Sequence, residues 1–169
     1  MTVLEHRTDR EILSPLERAG EVIIIGFMIA LFGFFILHQT TGTGFFTEKF
    51  GPLEALCLYV PLLLGLSAPT VRALSGKRQP GRPFEAATSL FLSAGSLWLL
   101  IAFPFDYAHL ADVLPAGIQF ILRWVTDDVA RIVLLLQIII GPISAALVML
   151  RFLGHRQPRR DASLTRRAL

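Results

Sequence analysis

The sequence predicts an all-α integral membrane protein: four transmembrane helices in an up-down bundle, both chain ends cytoplasmic, and a short amphipathic interfacial helix between the third and fourth. Three observations lead there. Apolar residues fill 53% of the 169 positions and mean hydropathy is +0.60, more apolar surface than a soluble fold can bury. Four stretches, Glu21 to His38, Leu53 to Leu74, Phe84 to Phe103 and Val129 to Leu150, approach the roughly 20 residues needed to cross about 30 Å of hydrocarbon as helix. Basic residues gather at alternate ends of those stretches, as lysines and arginines do on the cytoplasmic side.

Residues 1–20 form a cytoplasmic segment in which Ser14 followed by Pro15 reads as an N-cap with proline at the first helical position, so an interfacial helix runs into the first span. That polar start, without a small-residue cleavage site after the apolar stretch, predicts a retained anchor rather than a removed signal peptide. The turn from Gln39 to Pro52 carries Phe45, Phe46 and Phe50, which the aromatic preference for the lipid boundary places at the membrane surface. The second span holds Pro61 and Pro69, and the fourth holds Pro142 after Gly141. Each proline withholds a backbone N–H and bends a helix, although prolines are common in membrane helices without being hinges.

The connection from Pro104 to Asp128 is too long for a turn, and its run from Ile118 to Val125 predicts the interfacial helix, anchored by Trp124. Asp127 and Asp128 suit the start of the fourth span. Residues 21–152 thus make the membrane domain, and 153–169 a basic, disordered tail.

Orientation follows from charge. Arg7, Arg10 and Arg18 precede the first span; Arg72, Lys77, Arg78 and Arg82 surround the middle loop; Arg151, Arg156, Arg159, Arg160, Arg166 and Arg167 follow the fourth. Those thirteen oppose only Lys49, Arg123 and Arg131 in the other connections. Four crossings put all three rich flanks on one side, which predicts a cell-membrane protein with both termini cytoplasmic. Arg151, Arg156, Arg159 and Arg160 are then positioned to hold anionic lipid headgroups. With basic residues flanking apolar spans, a pI near 9.6 points to the membrane surface and away from nucleic acid. The run from Gly76 to Arg82 parallels Gly154 to Arg160. The ordinary preference of helix exits for Gly, Pro and Arg accounts for this more simply than a duplicated hairpin.

Chemistry-bearing residues are few. Cys57 is the single cysteine, so neither an intrachain disulfide nor a cysteine-based metal site exists in this chain. Glu21, Glu54, Glu85 and Arg131 lie near span ends, where they snorkel to water. Gln137 is the strongly polar side chain well inside a span, placed to bond a neighbouring helix. On the face away from the termini, Asp106, His109 and Asp112 stand at i, i+3 and i+6, with His38 as a fourth candidate metal ligand; a helix would align the first three on one side. His6 and His155 fall on the other face. Phosphate loops, catalytic triads, zincin helices and lipidation signatures are missing.

Small residues such as Gly26, Gly33, Ala94, Gly95 and Gly141 permit close helix approach. These features predict a non-catalytic membrane subunit that supports or assembles a larger complex, without a cofactor, in contact with lipids and with other subunits or further copies of itself. Two rival readings stand: a membrane protein with a metal or redox site at His38, Asp106, His109 and Asp112, and a small oligomeric transporter or lipid-handling protein shaped by Pro61, Pro69 and Pro142.

Overall fold

The structure, a computed structural model, describes residues 12–154. The described chain is all-helical, with four helices long and apolar enough to cross a membrane. In chain order they are α1 (Pro15–Thr41), α2 (Pro52–Gly65) continued by α3 (Ser67–Ser75), α4 (Arg82–Ala102) and α5 (Asp127–Gly154). Arg156, Arg159, Arg160, His6, His155 and the rest of the expected disordered tail lie outside the described residues, whereas its first two residues, Leu153 and Gly154, still belong to α5.

Local chemistry sets the helix ends. Ser14 Oγ accepts from Glu17 N while Glu17 returns a carboxylate to Ser14 N, a reciprocal cap with Pro15 at the first position. The helix then runs unbroken through Gly20 to Gly42, where φ is +62°. At α2, Glu54 reaches back to Gly51 N with one carboxylate oxygen and accepts from Trp98 Nε1 with the other. The expected second span is two helices interrupted at Leu66, whose N–H turns to Leu63 O. The interruption falls between Gly65 and Ser67, where Pro69 cannot donate to Gly65 O. Pro61 and Pro142 sit inside α2 and α5 without ending them.

The connection from α4 to α5 corrects one expectation. In place of an amphipathic α-helix it holds two 3₁₀ turns, Tyr107–His109 and Gln119–Ile121. Pro115 and Gly117 interrupt the run between them, and its N-terminal half folds back over the bundle. Trp124 and Phe120 remain exposed there.

α4 is the central helix, packing chiefly against α5 and α2, whereas α1 packs mainly against α3. At one end Leu13 N donates to Gly76 O (2.9 Å), Arg18 Nη2 to Ala73 O (2.7 Å) and Arg82 Nη1 to Arg151 O (3.3 Å). These bonds tie the starts of α1 and α4 to the ends of α3 and α5. At the other end Thr47 N donates to Pro104 O and Asp106 N to Phe45 O, joining the α1–α2 turn to the α4–α5 connection.

Candidate functional site

The helix seams carry the polar groups found at depth. Pro142 has no N–H for Ile138 O, and Ser93 of α4 supplies the missing donor: its Oγ lies 3.0 Å from that carbonyl. One turn along, Ser96 Oγ donates to Gln137 Oε1 at 2.6 Å. Close approach makes both bonds possible, because a Cβ on Gly141 would fall 2.7 Å from Ser89 O. Gln137 thus bonds a neighbouring helix. At the α2–α4 seam Pro61 withholds a donor from Cys57 O, and a Cβ at Gly95 would stand 2.5 Å from that oxygen. Only glycine lets the α4 backbone come so near a carbonyl freed by proline.

At the end carrying the α1–α2 turn, aromatic rings form a compact cap. Phe45 is fully buried, stacked on Phe105 with ring centroids 5.4 Å apart and on Phe35 at 5.9 Å, with Tyr107 edge-on at 5.3 Å. This corrects the boundary placement predicted for it: the turn folds inward over the helix ends, so the ring fills the cap rather than facing lipid. Arg131 lies over the Phe103 ring at 4.4 Å, a cation–π contact in place of simple snorkelling.

His38 belongs to this cap. It is 1% exposed, packed against Phe34 and Phe45. Nε2 faces Leu110 O at 3.1 Å and Nδ1 faces Thr43 Oγ1 at 2.6 Å. A carbonyl can only accept, so Nε2 carries the proton and Nδ1 takes the Thr43 hydroxyl proton; Thr43 Oγ1 in turn accepts from Phe45 N. Both ring nitrogens are engaged, and the imidazole acts as a strut between α1 and the distant Leu110.

The other expected ligands do not join it. Residues 107–109 form a 3₁₀ turn, so Asp106, His109 and Asp112 do not share a helical face. Asp106 Oδ1 caps Ala108 N, while His109 Nδ1 pairs with Asp112 Oδ2 at 2.7 Å. That bond lifts the His109 pKa above the ordinary imidazole value, the Asp106 charge adding to it. Burial pushes the Tyr107 phenol up to about 12, with the charge of Asp127 assisting. Among the described residues, no three of His, Cys, Asp or Glu converge as a metal-holding group.

The opposite end is an arginine–carboxylate network. Arg72 meets Glu21 at 2.9 Å and Glu85 at 3.2 Å, and Arg78 pairs with Glu17. Glu21 and Glu85, expected to snorkel to water, instead pin α1 and α4 to α3. The sequence offered the charges but not their pairing, which depends on α3 turning Arg72 between two helices.

Clefts adjoin these features, among them one of about 320 Å³ along the α4–α5 seam at Gln137 and Gly141. Another of about 420 Å³ lies within the arginine network. A third of about 380 Å³, lined by Asp106, Arg123, Asp127 and Asp128, opens beside the cap. A fourth of about 240 Å³ is apolar and bordered by α1, α2, α4 and α5. No protein-family model, curated protein or solved structure matches the chain.

Proposed function

We propose that this chain is a non-catalytic subunit of a membrane complex, crossing the bilayer four times in up-down order with both termini cytoplasmic. The observation that carries the reading is how the polar groups at depth are used. Ser93, Ser96 and Gln137 bond helix to helix, and the described charged pairs sit toward the helix ends. A pump or charged relay needs polar groups free to meet an ion inside the membrane. These groups are engaged in assembly of the bundle.

α1 supports a role among other subunits. Over its most apolar 18 residues none is buried against the rest of the chain, and Val22, Ile23 and Phe27 are more than half exposed. In a bilayer such a surface meets lipid or another helix. The arginine-rich end faces the cytoplasm in this reading, in keeping with the retention of basic flanks there, and the paired Arg72 and Arg78 brace it at headgroup depth.

Purification of the full chain in mild detergent, with in-membrane crosslinking beforehand, tests the proposal. Recovery with a stoichiometric partner, either another protein or further copies, is the expected result. A chain that crosslinks to nothing and runs as a bare monomer contradicts it.

A further inference from the structure

The apolar crevice and the polar cleft share a wall: Tyr107 and Val125 line both. Below that wall Leu31 of α1, Leu58 of α2, Leu99 of α4 and Val133 of α5 enclose hydrocarbon-like space, with Ser96 and Gln137 alongside. Above it Asp106, Asp127 and Asp128 stand with the single cation Arg123. We propose that the two spaces together hold one zwitterionic glycerophospholipid, an acyl chain in the crevice and the headgroup in the cleft.

Size selects the occupant. An apolar cavity of about 150 Å³ admits benzene, so the crevice of about 240 Å³ takes on the order of ten chain carbons by proportion. One turn of a partner helix occupies roughly 420 Å³, from its diameter of about 10 Å and rise of 5.4 Å, and does not fit. Four helices border the space, and α1 and α5 make no substantial contact across it. A chain therefore reaches it from the surrounding bilayer. Ser96 and Gln137 bond each other and the rest of the lining is apolar, and a space so lined stays dry and can accept a hydrocarbon guest.

Charge selects the headgroup. Tail burial distinguishes little, because the bilayer is as apolar as the crevice, so preference rests on the cleft. Asp127 uses one oxygen on Tyr107 N and Asp106 one on Ala108 N. Arg123 donates to Gln119 Oε1 through Nη2. A primary ammonium suits the three carboxylates and a phosphodiester suits Arg123, whereas a headgroup carrying only negative charge meets three carboxylates against one guanidinium. Phosphatidylethanolamine has the required pair of charges. The inference needs the helices to lie in a membrane but not that the chain belong to a complex.

The test uses the full chain in nanodiscs of equal phosphatidylethanolamine and phosphatidylglycerol, with the lipid retained after detergent exchange counted by mass spectrometry. The expected result is about one ethanolamine lipid per chain, favoured over glycerol lipid about tenfold, the size of one charge-assisted hydrogen bond. Val133→Trp fills the crevice from a partly exposed position and lowers retention. Asp106→Asn, Asp127→Asn and Asp128→Asn together, each asparagine still able to accept the backbone bond its carboxylate holds, keep a retained lipid but remove its preference for the ammonium headgroup. Thermal melts of both variants verify folding. Retained lipid that mirrors the nanodisc composition, or that is unchanged in folded Val133→Trp, overturns the proposal, as does recovery of a phosphate-free apolar molecule instead.

Discussion

Replacing Ser93 with alanine strips the Ile138 carbonyl of the donor that stands in for the missing Pro142 N–H. The bond is 3.0 Å long and Ser93 is 7% exposed, so water does not take the hydroxyl's place. An orphaned buried acceptor costs about 1–3 kcal/mol in water-soluble folds, while bonds between membrane helices average about 0.6 and reach about 1.7 kcal/mol. Ser93→Ala is therefore expected to cost about 1 kcal/mol in an otherwise native chain. Pro142→Ala restores an N–H at the position that normally serves Ile138 O, and in that background the same Ser93→Ala change costs close to nothing. The coupling energy between the two sites is about 0.5–1 kcal/mol, read from a double-mutant cycle of reversible unfolding in mixed micelles. Equal costs in both backgrounds, to within about 0.3 kcal/mol, refute the claim that the hydroxyl substitutes for the backbone donor.

Gly95→Ala puts a methyl group 2.5 Å from Cys57 O and forces α2 from α4; a loss of about 1–3 kcal/mol is expected from overpacking, and an unchanged melting temperature argues against the close approach. Phe45→Ala empties the centre of the aromatic cap and is expected to cost about 3–5 kcal/mol, whereas a ring lying at the lipid surface would lose far less. The His109–Asp112 pair makes stability depend on pH. Its folded pKa is raised, so the stabilisation is present in full below the unfolded value near 6.5 and is lost as pH rises through the folded value. His109→Gln flattens that dependence in melts followed across neutral pH, and an unchanged profile removes the assignment.

Hydropathy made the helices legible because each span must satisfy its own backbone, which leaves long apolar runs and punctuation such as Ser14-Pro15 and Gly42 in plain view. Gln137 was readable for the same reason: a lone amide among aliphatic residues needs a partner. Its partner was not, since serines such as Ser93 and Ser96 are common in membrane helices and only their register against Pro142 and Gln137 gives them a task. The i−4 carbonyl of each in-helix proline was the available signal. The run from Ile118 to Val125 misled because it is apolar enough for an interfacial helix, yet only Gln119–Ile121 closes, as a 3₁₀ turn, and Pro115 and Gly117 just upstream leave no helix for it to extend. His38 was visible as a histidine at a span end. That both of its nitrogens serve the fold depends on Leu110, 72 positions away, a distance no local pattern encodes.

The proposed orientation sets four helices across a bilayer with the arginine-rich end inside. Two single-cysteine chains in a Cys57→Ser background test this, Lys77→Cys at the basic end and Gly117→Cys in the opposite connection, both at exposed positions, with a membrane-impermeant maleimide applied to intact cells. The expected pattern is labelling at position 117 in intact cells and at position 77 only after permeabilisation. Labelling of both in intact cells, or of position 77 alone, contradicts it.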